Sequence, residues 1–235
     1  MKNNNFIHRI DKEAIAQMPL AEFGGEIYII NSEKQLPLAM QYLNQQTVVG
    51  VDTETRPSFQ HGQHFPTALV QIATLQRCYL FQLKHIGLPQ ELADFFANPE
   101  ICKVGLAFQD DIRGLQRQHN FKPQNCIDLQ KIVLQYGILD LGLQKMFAIV
   151  FGKRISKSQQ LTNWANDTLT DEQASYASTD AWATLCIYNE LMKTKKLPGE
   201  QYEAIRQEDI KRQIQHQQQV QQEKLDHENH STTNS

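Results

Sequence analysis

The run Thr47, Val48, Val49, Gly50, Val51 constrains the fold more than any other stretch of the chain. It is β-branched and apolar except for one glycine, the composition of a strand buried on both faces in the middle of a sheet. Two carboxylates follow where this strand ends. Asp52 and Glu54 are two residues apart, so they project on the same side of the strand and can converge on one point. Like charges that close repel and raise at least one pKa unless a cation lies between them, and a divalent metal is the simplest resolution. The chain carries its own controls. Asp11-Lys12-Glu13 lies in a polar helix candidate and Asp226-His227-Glu228 in a hydrophilic tail, and neither follows an apolar strand.

A length of 235 residues accommodates one sizeable α/β domain with an appendage rather than two full domains, and a hydrophobic content of 40% supports a real core. The formal charge of -3 argues against a broadly basic nucleic-acid coat but leaves room for a local basic groove. Cys78, Cys102, Cys126 and Cys186 are scattered without a Cys-x-x-Cys pair, so they read as reduced core residues. The N-terminal stretch lacks an apolar signal core, and no run approaches the roughly 20 apolar residues that span a bilayer. A soluble cytoplasmic protein without a membrane partner is expected.

Along the chain, residues 1–25 form an extension with a helix candidate from Asp11 to Gln17, stopped by Pro19 and Gly24-Gly25. Glu26 to Ile30 reads as a strand. Ser32 and Gln35 then have the spacing of a capping box for a helix reaching Asn44. Beyond Glu54 lies a turn-rich loop. Two β-like runs, Thr67 to Thr74 and Arg77 to Leu83, are so close that they must pair as a hairpin, which predicts antiparallel pairing among the first three core strands. The rhythm then changes to helix Leu88 to Ala97, strand Ile101 to Gly105, helix Asp110 to His119 and strand Asn125 to Asp128, the alternation that gives parallel pairing. Leu129 to Glu190 is predicted as almost entirely helical apart from a loop at Gly152 to Ser158. Its last helix is capped by Thr170 with Gln173 and runs to about Lys193. The main domain spans 26–196, a further helix 197–214, and a glutamine-rich tail 215–235 reads as disordered.

Two later stretches carry chemistry. Asp110 and Asp111 open a helix, where either acid is favoured by the helix dipole. Asp111 is the better candidate for metal work, because Leu115 four residues on shares its face and would anchor it against the sheet. On the last core helix, Tyr176 and Asp180 lie one turn apart on a common face. The small residues Ala174, Ala177, Ala181 and Ala183 let that helix come close to a strand-borne ion. Tyr136 and Asp140 have the same spacing, but Gly137 intervenes and no cap frames them.

The segments VVGVDTETRPSF, KVGLAFQDDIRGL and SKSQQLTNWANDTLTDEQASYASTDAWATLCIY, in this order, resemble the ribonuclease D-like 3'-5' exonucleases of the DEDDy type, which include the exonuclease domain of the Werner syndrome helicase. The resemblance covers roughly residues 26–192. It implies an α/β, RNase H-like fold with a mixed central β-sheet flanked by helices. It also implies four metal ligands, Asp52, Glu54, Asp111 and Asp180, with Tyr176 as the catalytic tyrosine. Asp128 matches a position that the family fills with Asp without using it as a ligand. Two cations, Mg2+ or Mn2+, suit hard oxygen ligands and would neutralise both oxygens of an in-line displacement. On this reading Asp52 bridges the ions, Glu54 and Asp180 complete the water-activating one, and Asp111 holds the other largely through its waters. Tyr176, neutral at pH 7, orients water and phosphate.

The implied activity is release of nucleoside 5'-monophosphates from the 3' end of DNA or RNA. Lys153, Arg154 and Lys157 precede the third motif and are candidates for substrate phosphates, and Thr53 for the terminal sugar. Phe108 is a candidate for base stacking, as is Trp164, although core packing suits both. The loop pair His61 and His64 has His-x-x-His spacing but no helix to align it as a metal site. Two other function classes compete: a catalytically silent nuclease-like module that binds nucleic acid or protein, for which four converging acids have no physical use, and a different phosphoryl-transfer enzyme, for which no Gly-rich phosphate loop exists.

Overall fold

A computed structural model describes residues 1–57, 65–212 and 214–215. Helix α1 (Lys12–Ala16) lies in the N-terminal segment and strand β1 (Glu26–Ile30) opens the sheet. Ser32 then forms the expected capping box with Gln35, but over one 3-10 turn that runs on into α2 (Leu36–Leu43). Strands β2 (Val48–Thr55), β3 (Thr67–Ala73) and β4 (Arg77–Gln82) follow, then helices α3 (Leu83–Ile86) and α4 (Gln90–Ala97). Strand β5 (Cys102–Gly105), helix α5 (Phe108–Gln116), strand β6 (Cys126–Asp128) and helices α6 (Leu129–Val133), α7 (Leu143–Phe151) and α8 (Asp171–Lys193) complete the body. Among the described residues no helix is long and apolar enough to cross a membrane.

The six strands form one mixed sheet in the order β1-β4-β3-β2-β5-β6. The hairpin prediction holds: β2 pairs antiparallel with β3, and β3 with β4. β1 lies parallel beside β4, and β2, β5 and β6 are parallel to one another. Side-chain alternation divides the core into two layers. Val49, Val51, Val70 and Ile72 point into one, against α2, α4 and α5. Leu69, Ala73, Cys78 and Leu80 point into the other, where Ala174, Tyr176, Ala177 and Ala181 of α8 receive them. Ala183 instead turns toward α7 and β5.

One position fixes how closely α8 approaches. A Cβ on Gly50 would overlap the Ala181 carbonyl oxygen and meet Leu185 at 3.0 Å, so only glycine lets the helix lie on β2. α8 itself is capped as its sequence predicts, Thr170 accepting from the Gln173 N–H at 3.2 Å.

The structure corrects three boundaries. Leu83 begins a short helix rather than ending β4. Residues 137–142 and 159–169 are not helical, so the loop expected at 152–158 is present but runs on to Thr170. Gly137 and Gly152 adopt left-handed conformations (φ 76° and 63°), which end the preceding turns at little steric cost, and the chain needs a long connection before Thr170 restarts a helix. Residues 199–212 form a C-terminal helix. The N-terminal segment lies along the body: Ala21 donates to Arg154 O at 2.8 Å and Arg154 donates back to Pro19 O at 3.0 Å. His61, His64 and the tail beyond residue 215 lie outside the described residues.

Candidate active site

β5 accompanies β2 only from Val48 to Gly50. From Val51 onward β2 has a strand partner on the β3 side alone, and its last residues face an open edge. Asp52 and Glu54 follow Gly50 at two-residue steps and therefore share its α8-facing side. Asp180 comes down from α8 to meet them. One carboxylate oxygen from each of Asp52, Glu54 and Asp180 lies within 4.8 Å of the others.

Their electrostatics follow from this crowding in a dry place. Burial pushes Glu54 up to about 8 from the usual 4.5, and the Asp180 and Asp111 charges add to the rise. Asp180 is pushed up to about 7 by burial, with the Tyr176 hydroxyl and the Lys157 ammonium restraining it. Asp52 lies well above 3.8 through burial and then the charges of Asp180, Glu54 and Asp111. The cluster contains only carboxylates, with no Cys or His among them. A set of hard oxygen donors that repel one another in the absence of a positive charge fits a hard divalent cation.

Tyr176 is buried at 7% exposure and packs on Trp164, ring centroids 5.9 Å apart. Its hydroxyl is raised above the usual 10 by burial and by the Asp180 and Glu54 charges. It is therefore protonated at neutral pH and serves as a hydrogen-bond donor.

Asp111 is not part of the three-acid cluster. It enters from the opposite layer, where Thr53, pointing away from Asp52 and Glu54, donates its hydroxyl to the Asp111 carboxylate at 2.5 Å. Burial pushes Asp111 up to about 6, against that hydrogen bond. The neighbouring acid does other work: Asp110 is exposed and pairs with Arg113 at 3.0 Å. Leu115 is fully buried on the same helix, as the choice of Asp111 requires. The turn that delivers α5 passes through Ala107 in a left-handed conformation (φ 50°), unusual for a residue with a Cβ. Asp128 holds that turn by accepting from the Ala107 N–H at 3.1 Å, and it caps α6 by accepting from the Gln130 N–H at 3.0 Å.

A cleft of about 320 Å³ opens over the acids, lined among others by Asp52, Thr53, Glu54, Lys157, Tyr176 and Asp180. Of Lys153, Arg154 and Lys157, Lys157 is the one that lines the cleft. Lys153 is exposed and outside the lining. Arg154 is also outside the lining: its Nε donates to Met18 O at 3.2 Å and its backbone ties down the N-terminal segment. Phe108 takes the core-packing alternative: α5 begins earlier than expected, and the ring is buried at 2% exposure over Gly105. Trp164 is likewise in the core. Gln144, Ser156 and Gln160 also line the cleft. They carry no sequence signal, because only the 152–170 connection brings most of them there. Gln71 does carry a sequence signal, a lone amide inside the apolar run Thr67–Ala73.

A mixed sheet whose central strand ends in acids that a covering helix completes defines a nuclease domain of the RNase H-like fold. The sequence profile of the 3'-5' exonuclease family matches residues 27–196, and the chain belongs to that family, in its DEDDy-type, RNase D and WRN-like branch. It is 28% identical over 184 residues to the mouse (Mus musculus) bifunctional 3'-5' exonuclease/ATP-dependent helicase WRN, covering 74% of this chain and 13% of that protein. It is 31% identical over 157 residues to an Arabidopsis thaliana 3'-5' exonuclease, covering 64% of this chain and 53% of the other. The chain thus spans only part of each of these relatives. Among solved structures, the Aedes aegypti Nibbler EXO domain superposes with TM-score 0.66 at 22% identity, over 85% of this chain and 99% of that one. Trypanosoma brucei RNase D in complex with RNA U12 superposes with TM-score 0.65 at 20% identity, over 75% and 65%.

Proposed function

We propose that the chain is a metal-dependent 3'-5' exonuclease that removes nucleoside 5'-monophosphates from the 3' end of DNA or RNA. The observation that carries this reading is the convergence of Asp52, Glu54 and Asp180 within 4.8 Å, each raised toward its protonated form where no cation balances it. Asp52, Glu54 and Asp180 would hold the cations, and Asp111, steadied by Thr53, would contribute from the other side of β2. Two ions of Mg2+ or Mn2+ supply charge neutralisation on the attacking and leaving oxygens. Tyr176 donates its hydroxyl to the scissile phosphate or the incoming water, and its raised pKa keeps that proton in place. Lys157 offers a positive charge at the cleft rim for a substrate phosphate.

The RNA bound to the Trypanosoma relative supports nucleic acid as the substrate class. The catalytic unit proposed is 26–196, flanked by 1–25 and 197–214. The four cysteines are free thiols, which supports the reducing cytoplasm as the compartment.

The test is digestion of a 5'-labelled oligonucleotide with manganese. Wild type should shorten it stepwise from the 3' end. Asp52→Asn should lose more than the roughly 10–100-fold that an outer supporting residue typically costs. No shortening by wild type, or undiminished shortening by the variant, refutes the reading and favours a silent binding module.

A further inference from the structure

Gln71 is fully buried in the middle of β3, and neither its amide nitrogen nor its amide oxygen has a hydrogen-bond partner. It is the only residue among the described ones that leaves two such atoms unpaired. An orphaned buried amide costs about 1–3 kcal/mol, so the site calls for a partner that the metal-free fold does not supply. The placement of Gln71 names that partner. In the antiparallel pairing of β2 with β3, Gln71 stands directly opposite Asp52. Directly opposed residues point to the same face with Cβ atoms about 5 Å apart, within reach of a glutamine amide. The flanking Leu69 and Ala73 lie in the α8-facing layer, which puts Gln71 in that layer too, beside the acids.

We propose that Gln71 is a positioning residue whose amide N–H holds the ionised Asp52 carboxylate in the orientation that turns it toward Glu54 and Asp180. The inference rests on the proposed metal-dependent reading of the site. An ionised carboxylate accepts such a hydrogen bond more strongly than a protonated one. Support of this kind is worth roughly 10–100-fold in metal affinity.

The test is manganese titration of the full chain, following free Mn2+ by electron paramagnetic resonance, for wild type, Gln71→Leu and Gln71→Met. Both variants should fold, melt in EDTA no lower than wild type because an unpaired amide has been removed, and bind Mn2+ about 10-fold more weakly. Wild-type affinity in both variants overturns the proposal. So does a lower melting temperature of both in EDTA, which would mean that the amide already stabilises the metal-free fold. If wild type itself binds no Mn2+, the metal-dependent reading of the site has failed, an outcome separate from equal binding by all three.

Discussion

Glu54→Gln should make the metal-free chain more stable at alkaline pH. Glu54 has a folded pKa of about 8 against the usual 4.5, so the folded chain retains a proton that the unfolded chain releases over that interval. A carboxylate raised in this way contributes most to stability below pH 4.5, and the contribution is lost as pH rises through 8. At about 1.4 kcal/mol per pH unit the whole interval sets a ceiling of ~5 kcal/mol. Two effects reduce it. Glu54 retains contact with solvent, and a proton held by one acid relieves the other two. About 2 kcal/mol is expected. The neutral isostere removes the penalty, so urea unfolding in EDTA should show Glu54→Gln more stable than wild type by that amount at pH 9. At pH 5 the gap should shrink to less than about 1 kcal/mol, because only the first part of the interval above 4.5 has been crossed. For a chain of this size the melting temperature should rise by about 4–8 °C at pH 9. Wild type with saturating Mn2+ at pH 8 should recover a comparable stabilisation, because a ligand at 100 times its Kd contributes about 2.7 kcal/mol. A variant no more stable than wild type at pH 9 would show that the three carboxylates do not repel in a shared dry site, and the electrostatic case for a cation would fall.

Asp110→Ala should leave oligonucleotide digestion within about two-fold of wild type, since its exposed ion pair with Arg113 is worth at most about 1 kcal/mol, whereas Asp111→Ala should lower the rate by at least 10-fold in the same assay. Gly50→Ala should cost about 3 kcal/mol or more by chemical denaturation and lower activity as well, because the added methyl pushes α8, and Asp180 with it, away from β2.

What the sequence made legible was local. β2 announced itself by a continuous apolar run, the hairpin by the few residues between Thr74 and Arg77, and α8 by the Thr170 and Gln173 box. Asp52 and Glu54 share a side because the strand period is two, and Tyr176 and Asp180 because the helix spacing is four. What remained hidden depends on contacts between distant parts of the chain. Nothing near Arg154 in the sequence reveals its partner 136 residues away at Met18. The start of α5 at Phe108 was hidden because it is set by the left-handed turn at Ala107 and its bond to Asp128, not by a capping residue. Residues 159–169 carry helix-like composition, yet they take turn and extended forms, with Gln173 donating to the Thr162 hydroxyl at 3.0 Å. Gln71 had a visible signal, one polar residue in an apolar strand, whose meaning required the register opposite Asp52.

Asp128 complicates any attempt to count metal ligands by mutating acids one at a time. Its two bonds to backbone N–H groups brace the bend that precedes Asp111, so removing it would impair the proposed turnover at one remove, with every proposed metal-binding oxygen still on the chain. A tally by lost activity alone would credit the site with one ligand too many, and only direct measurement of bound ions would separate the brace from the acids it serves.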